Sequence, residues 1–264
     1  MKQIYYTYPG FKAKALTLSY DDGTVSDYRL IETLNKYEIK TTVHLNSDLP
    51  RNDRIDSKEY NALYVGHEIA CHTATHPTIN RETLSTVAME ILQDRLALEK
   101  LTRKPVMGLS YPNGSTSKEI EALLPGLGIK YARTVNSTFN FEIPENFLSL
   151  NPTCHHNEKL LELTDKFINF NKRQYLKLFY LWGHSFEFDR DDNWSLLEQF
   201  CQKISRRDDI YYATNVELYD YLKAAKMLEF TVDGSYVYNP TALDIYLEVE
   251  GEKVLVEKAT GLYL

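Results

Sequence analysis

The chain has no long apolar run, no cysteine framework and no excess of positive charge. No stretch of its 264 residues approaches the roughly 20 consecutive apolar residues that a membrane-spanning helix needs. The three cysteines, Cys71, Cys154 and Cys201, are odd in number and widely spaced, so they predict no disulfide framework. A formal net charge of −7 argues against nucleic acid or an anionic membrane as a partner, because both favour clustered Lys and Arg.

The first residues, Met1-Lys2-Gln3-Ile4-Tyr5-Tyr6, also lack the apolar segment of a secretory signal peptide. The sequence therefore predicts a cytoplasmic location, although a trimmed form of a secreted protein would look the same. Hydrophobic residues make up 43% of the chain, which is enough to bury a large core. An α/β barrel of this length is commonly a single domain.

Two short motifs carry most of the functional information. The first is Ser19-Tyr20-Asp21-Asp22-Gly23, which follows an apolar stretch at residues 15–18, and the second is His72-Thr73-Ala74-Thr75-His76. One carboxylate and two imidazoles form a ligand set that leaves coordination positions open, as in catalytic metal sites. The second, adjacent carboxylate would then be free to act as a base on a water molecule. The pattern predicts metal-assisted hydrolysis.

Strand and helix patterns alternate along most of the chain. Asn80 is the expected N-cap of the longest helix, and Pro125-Gly126 is expected to end the following one. The predicted strands span residues 14–20, 40–45, 67–71, 106–109, 129–135, 175–182 and 210–214. The predicted helices span residues 28–37, 57–64, 82–101, 117–124, 157–170, 194–204 and 216–227.

Seven strand–helix units predict a parallel sheet with helical crossovers. No Gly-rich phosphate turn follows the first strand, which disfavours an open nucleotide-binding sheet. Asp21, Asp22, the two motif histidines, residues 110–114 and His184 all follow strand ends, where a (β/α) barrel gathers its active site. A single centre supplied from four different strands requires a closed ring.

Beyond Leu228 the pattern changes to antiparallel hairpins, one around Asp233-Gly234 and one around Glu250-Gly251-Glu252. We therefore expect a barrel domain over residues 1–227. Residues 228–264 are expected to form a small antiparallel β appendage that packs on this barrel.

The two motifs resemble the first two motifs of the polysaccharide deacetylases, the carbohydrate esterase group with the NodB-type domain. The resemblance extends from about residue 13 to about residue 223, and it implies the α/β fold of that family, a distorted (β/α)7 barrel. It also implies that Asp22, His72 and His76 bind the metal while Asp21 serves as the general base. One helical turn at residues 72–76 would place both imidazoles on one face. Zinc is the expected ion, and cobalt, nickel or manganese fit the same donors nearly as well.

The segment Leu181-Trp182-Gly183-His184-Ser185 resembles the family's late histidine motif. The resemblance makes His184 the general acid, a role suited to histidine at neutral pH. The alternative is a strand-end histidine that bonds to backbone. Trp182 is expected either to line a pocket for the acetyl methyl group or to belong to the core.

The chain departs from the family at the third motif, which usually reads Arg-x-Pro-Tyr-Gly and here reads Ser110-Tyr111-Pro112-Asn113-Gly114. The turn still offers the backbone N–H of Asn113 to a developing oxyanion. The arginine that holds the base aspartate is missing at Ser110. Arg133, at the end of the fifth predicted strand, is the candidate replacement.

The fourth motif is not visible, and Pro152-Thr153-Cys154-His155-His156 stands in its place. We expect the histidine pair to lie on the surface, with one ring lining the cleft as the alternative. His44 ends the second strand and is a candidate for the cleft, whereas His67 is expected to be structural. Residues 189–192 are expected to form a solvated loop.

The predicted function is metal-dependent removal of acetyl groups from N-acetylated, or O-acetylated, sugars or polysaccharides. The expected partner is an acetylated carbohydrate, and the sequence leaves its identity and the oligomeric state open. A glycan-binding protein with impaired catalysis is one alternative, which the presence of Asp21 and His184 disfavours. A fold-related metal-free amidohydrolase is another, which the pair His72 and His76 disfavours.

Overall fold

The structure, a computed structural model, describes residues 2–50 and 52–264. The strands are β1 (Ile4–Thr7), β2 (Lys14–Asp21), β3 (Thr42–Leu45), β4 (Glu68–Cys71), β5 (Gly108–Ser110), β6 (Tyr131–Arg133), β7 (Cys154–His155), β8 (Lys177–His184), β9 (Ile210–Tyr212), β10 (Glu229–Phe230), β11 (Tyr236–Tyr238), β12 (Ile245–Val249), β13 (Glu252–Val256) and β14 (Gly261–Tyr263). The α-helices are α1 (Asp27–Lys36), α2 (Tyr60–Leu63), α3 (Leu84–Thr102), α4 (Lys118–Leu123), α5 (Leu160–Ile168), α6 (Phe186–Arg190), α7 (Trp194–Ile204) and α8 (Asn215–Ala225).

The central sheet is a curled parallel sheet in the order β6-β5-β4-β3-β2-β8-β7. A parallel bridge between Arg133 and Leu150 joins one edge strand, β6, to the segment that leads into the other edge strand, β7. The Leu150 amide donates to the Ala132 carbonyl, and the Thr134 amide donates to the Leu150 carbonyl, both over 2.8 Å. The predicted α/β fold with a distorted seven-stranded barrel is therefore confirmed.

Six of the seven strands in this ring are predicted strands, and the seventh is not. The predicted strand at residues 210–214 is β9, which pairs only with the first three residues of β2. Its place in the ring is taken by β7, a two-residue strand beside β8 that the sequence analysis missed. Two residues are too few for a recognisable alternation of side chains, so β7 is defined by its neighbours rather than by its own sequence.

The central strands and the helices that cover them are long apolar segments. All eight residues of β2 are buried, as expected for a parallel strand covered on both faces. Helix α1 buries Leu30, Ile31 and Leu34, which lie on one face of the helix. Helix α3 buries Val87, Ile91, Asp94 and Leu98, whereas Leu84 and Leu92 are exposed.

Of two predicted helix ends, one is wrong and one is confirmed. Helix α3 is capped by Thr83, whose side chain accepts a hydrogen bond from the Thr86 amide, and Asn80 lies in a preceding 3₁₀ turn. The predicted end of the next helix at Pro125-Gly126 is confirmed, because α4 ends at Leu123. A 3₁₀ turn at Leu124–Leu127 continues from α4, because proline is tolerated in a first helical turn, and it ends at Gly128.

The predicted loop at residues 189–192 is exposed, but its first two residues belong to the short helix α6. Trp194 Nε1 donates to Asp189 Oδ1 over 2.7 Å, and this bond fixes the end of α6 against the start of α7.

The chain ends form two small antiparallel sheets in the orders β1-β12-β13 and β10-β11-β14. Both predicted hairpins are present, as the pairs β10-β11 and β12-β13. Strand β1 from the beginning of the chain also joins this region by pairing with β12. Tyr221 of α8 links the barrel to the sheet formed by β1, β12 and β13. Its hydroxyl donates to the Thr7 carbonyl of β1 and accepts from the Tyr246 amide of β12. Among the described residues, no helix has the length and apolar character to cross a membrane.

Candidate metal centre and active site

The register of the parallel sheet gathers the predicted site residues at the carboxyl ends of the strands. Asp21 of β2 is level with His44 of β3 on one side and with His184 of β8 on the other. Ser110 of β5 is level with Arg133 of β6 in the same way. Since the carboxyl ends of the strands form the active-site face of a (β/α) barrel, this edge is the candidate site.

Asp22, His72 and His76 are brought together at this edge. Each offers one ligand atom, and these atoms all lie within 4.8 Å of one another. His72 Nε2 is 3.7 Å from Asp22 Oδ1, and the two imidazole centroids are 4.7 Å apart. His72 Nδ1 lies 2.8 Å from the Ser110 carbonyl oxygen. A carbonyl oxygen can only accept a hydrogen bond, so this contact requires the proton on Nδ1. The lone pair of His72 is thereby placed on Nε2, facing Asp22.

The histidines meet by a route that differs from the predicted helical turn. Residues 72–76 form a loop in which Thr73 and His76 have φ angles of 63° and 59°. Asp22 also has a positive φ, 80°. Non-glycine residues rarely have positive φ angles. Several such residues at a single site are typical of functional loops.

Asp94 of α3 positions this loop and was missed by the sequence analysis. Its carboxylate accepts from the His72 amide over 3.0 Å and from the Ser47 amide over 2.8 Å. Burial raises the pKa of Asp94 to about 7, although these hydrogen bonds oppose the shift. The sequence does carry a sign of this role: Asp94 is a single acid at helical spacing with the apolar residues Val87, Ile91 and Leu98, on the buried face of the helix.

Asp21 is a buried carboxylate in a strongly positive environment. Ser110 Oγ donates to its Oδ1 over 3.2 Å, the Arg133 guanidinium contacts its Oδ2, and His44 Nδ1 lies 3.4 Å from its Oδ1. Burial by itself would raise the pKa of Asp21. The charge of Arg133 and the neighbouring histidines outweigh this effect and hold that pKa well below its usual range.

Arg133 makes the contact that the sequence analysis expected of a replacement arginine. It is fully buried, donates from Nη1 to the Thr134 carbonyl over 3.1 Å, and lies 4.4 Å from the centroid of the Trp182 ring. Ser110 pairs with Arg133 across β5 and β6. The small serine side chain leaves room for the Arg133 guanidinium to reach Asp21. Trp182 is 8% exposed and supports the arginine by a cation–π contact.

His184 is held by Glu187, which the sequence analysis did not identify. Glu187 Oε2 accepts from the His184 amide over 3.2 Å and lies 3.4 Å from His184 Nδ1. Burial alone would lower the pKa of His184, but Glu187, Asp21 and Asp22 together raise it above its usual value. The i, i+3 spacing of a histidine and an acid was the signal for this contact.

Asn113 lies in the tight turn that the third motif predicts. Its φ is 56°, its side chain donates to Thr78 Oγ1 over 3.2 Å, and Thr78 belongs to the loop that follows His76. Gly114 follows with a φ of 64°, and a Cβ there would lie 2.3 Å from Val135 Cγ2. Glycine is therefore required for this turn.

The remaining histidines divide into two groups. His67 accepts from the Thr41 amide through Nδ1 over 3.1 Å at the far end of β4, in a structural position as predicted. His44 is fully buried beside Asp21, and burial lowers its pKa to about 3. The prediction of a surface pair at His155 and His156 is wrong, because His156 is fully buried and only 15% of the His155 side chain is exposed. Their short strand β7 closes the ring, and this draws both rings inward.

The comparisons with known proteins agree with this architecture. Residues 9–132 match the sequence model of the polysaccharide deacetylase family. A comparison with curated proteins gave no match.

Solved structures with this fold include a putative polysaccharide deacetylase from Mycobacterium smegmatis (17% identity, 88% of this chain and 98% of that chain covered, TM-score 0.65). The peptidoglycan deacetylase PdaC from Bacillus subtilis is 14% identical over 83% of this chain and 96% of that chain, with a TM-score of 0.53. A family 4 acetyl xylan esterase from Clostridium thermocellum, in complex with a cobalt ion, is 14% identical over 78% and 90%, with a TM-score of 0.54. At these identities the structural likeness establishes the fold.

The family match covers slightly less than half of the chain, and it contains both the Asp21-Asp22 motif and the His72–His76 loop. The solved structures extend the likeness over most of the remaining sheet. The resemblance that the two motifs indicated is therefore confirmed: the chain is similar to the polysaccharide deacetylases in sequence over residues 9–132, and in fold over most of its length.

Proposed function

We propose that this protein is a divalent-metal-dependent deacetylase of N-acetylated sugars in a polysaccharide. The observation that carries the proposal is the adjacency of two sets of groups. Asp22, His72 and His76 supply three converging ligand atoms. Asp21 and His184, a candidate base and a candidate acid, lie level with each other on neighbouring strands beside them.

The residues present fit a divalent cation. One carboxylate and two imidazoles are donors that zinc, cobalt and nickel all accept. The Ser110 carbonyl holds His72 Nδ1, so Nε2 is available as a ligand. Asp22, His72 and His76 would hold the ion, and positions not filled by protein would remain for water and substrate.

Asp21 is suited to receive a proton while remaining charged between turnovers. Arg133 keeps the carboxylate ionised, and Arg133 and Ser110 fix its two oxygens. The same positive charge makes Asp21 a weak base. Proton transfer to it therefore requires a water whose own pKa has been lowered, which is the chemistry that a bound divalent cation supplies, together with polarisation of an acetyl carbonyl.

His184 is suited to deliver a proton to the leaving nitrogen. Its raised pKa keeps a larger fraction of the imidazole protonated near neutral pH. Glu187 lies on the Nδ1 side of the ring and orients it. The Asn113 amide, in the turn beside the histidine loop, is the candidate donor to the oxyanion.

Removal of the metal tests this function directly. We expect a chelator to abolish the release of acetate from N-acetylated chito-oligosaccharides, and added Zn²⁺ or Co²⁺ to restore it, because Asp21 is a weak base by itself. Acetate release from acetylated xylan, measured in parallel, reports the preference for N-acetyl or O-acetyl groups. Full activity in excess chelator would instead favour a metal-free amidohydrolase.

Replacement of His184 tests the proton donor. The variant His184→Ala should lose about 10²–10⁴-fold in turnover on an N-acetylated sugar, the usual contribution of a positioned acid. On an aryl acetate the loss should be much smaller, because a phenolate leaving group needs little protonation. His67→Ala, at the opposite end of the barrel, is the matched control. Equal losses on both substrates would show that His184 is not the acid.

A further inference from the structure

A second group of metal-ligating side chains lies beside strands β7 and β8 and shares no ligand with the proposed catalytic metal centre, although one member, Glu187, also contacts His184. It consists of His155, His156 and Glu187, whose ligand atoms all lie within 4.8 Å of one another. His155 Nε2 is 2.9 Å and His156 Nε2 is 3.3 Å from the same oxygen, Glu187 Oε2. Ligands bonded at about 2.0 Å to a tetrahedral ion lie about 3.3 Å from one another, so these separations suit a common ion.

His156 is a buried imidazole with no hydrogen bond within the described residues. It is 0% exposed, and neither Nδ1 nor Nε2 has a hydrogen-bond partner there, although Nε2 is close to Glu187 Oε2. A buried imidazole that lacks partners is costly, because it has lost its bonds to water. A cation between Nε2 and Oε2 would supply the missing interaction.

The His156 ring is held in place by its surroundings. It stacks on Phe188 with a centroid separation of 4.2 Å and on Tyr20 at 5.9 Å. A Cβ at position 183 would lie 2.0 Å from His156 Nδ1, so only glycine leaves room for the ring beside β8. The imidazole is thus fixed before any ligand arrives, which lowers the entropic cost of binding.

Glu187 Oε2 has more neighbours than one carboxylate oxygen can satisfy by hydrogen bonding. The His184 amide already donates to it over 3.2 Å, and nitrogens of three imidazoles lie within 3.4 Å. An oxygen with two lone-pair positions cannot accept from all four donors. An ion bound at His155 Nε2 would require the tautomer that carries its proton on Nδ1, and the hydrogen bond that the Asn157 backbone amide donates to Nδ1 over 3.2 Å would then be lost.

From these contacts we propose that His155, His156 and Glu187 form a second site for a divalent cation of the zinc class. Two imidazoles and one carboxylate are the donors such ions prefer. The partly exposed side chains of His155 and Glu187 provide the route of entry. A bound ion would join β7, an edge strand of the sheet, to the segment that follows its neighbour β8.

Zinc titration of the metal-free, full-length protein tests the proposal. We expect two ions per chain by calorimetry and elemental analysis in the unaltered protein. His155→Gln and Glu187→Gln should each retain one ion and weaken the other at least about 100-fold, more than the loss of an outer-sphere contact costs. Glu158→Gln, which alters a neighbouring acceptor of the His155 amide, is the matched control and should keep both ions.

The variant His76→Gln separates this proposal from the proposed function. It should lose the catalytic ion and keep the second one, so zinc should still raise its unfolding temperature. Suppose that the unaltered protein binds only one ion. If that ion is lost in His76→Gln and kept in His155→Gln, the second site does not exist. If that ion is instead kept in His76→Gln and lost in His155→Gln, the result would support the second site and contradict the proposed catalytic centre. Two ions that both persist in His155→Gln and Glu187→Gln would also overturn it.

Discussion

The variant Asp21→Asn is expected to lower the turnover of acetate release by about 10²–10⁴-fold, the usual contribution of a positioned base. Asparagine keeps the shape of the side chain, its oxygen can accept from Arg133, and its NH2 group can donate to Ser110 Oγ, so both neighbours keep a hydrogen-bond partner. It has no carboxylate to receive a proton. Initial rates on N-acetylated chito-oligosaccharides, with zinc content measured on the same samples, provide the test.

Zinc content distinguishes this effect from loss of the metal. Asp21→Asn should retain zinc near the level of the unaltered protein, whereas Asp22→Asn should lose zinc affinity first and activity as a consequence. This difference is expected because Asp22, and not Asp21, belongs to the cluster with His72 and His76. Unchanged turnover in both variants would place any activity elsewhere in the protein. Loss of zinc in both, with no measurable turnover in the unaltered protein, would favour a glycan-binding role.

The variant Arg133→Met is expected to lower the free energy of unfolding by about 3–5 kcal/mol, the usual cost of breaking a buried ion pair. Both partners lie inside the protein, with side-chain exposures of 0% for Arg133 and 3% for Asp21, so the remaining carboxylate would be buried without its cation. Methionine keeps much of the apolar stem that rests on Trp182. Urea unfolding followed by circular dichroism measures the change.

The double variant Asp21→Asn/Arg133→Met identifies the cause of this destabilisation. It should be more stable than Arg133→Met alone, because no unpaired charge remains in the interior. The surface pair of Arg206 and Glu38, with exposures of 62% and 72%, offers the matched control. Arg206→Met should leave the unfolding midpoint nearly unchanged, since exposed pairs contribute little. A double variant no more stable than Arg133→Met would show that lost packing, rather than the unpaired charge, is responsible.

Much of the fold follows from local patterns. The seven strands and seven helices predicted from apolar periodicity are all present, and their ends differ by only a few residues. The terminal hairpins follow from their turn residues. Elements without a period of their own were missed. Strand β7 has two residues, and β1 and β14 are defined mainly by the strands they pair with.

The sequence by itself determined the two motifs and the donor chemistry they carry, because the order and spacing of Asp21-Asp22 and His72–His76 are local properties of the chain. Only the tertiary structure decided which distant side chains complete the site. Arg133 reaches Asp21 because β6 lies beside β5 with Ser110 in register, and Glu187 meets His155 and His156 because β7 lies beside β8. Strand order and register depend on how the whole sheet closes, so a single sequence does not reveal these contacts.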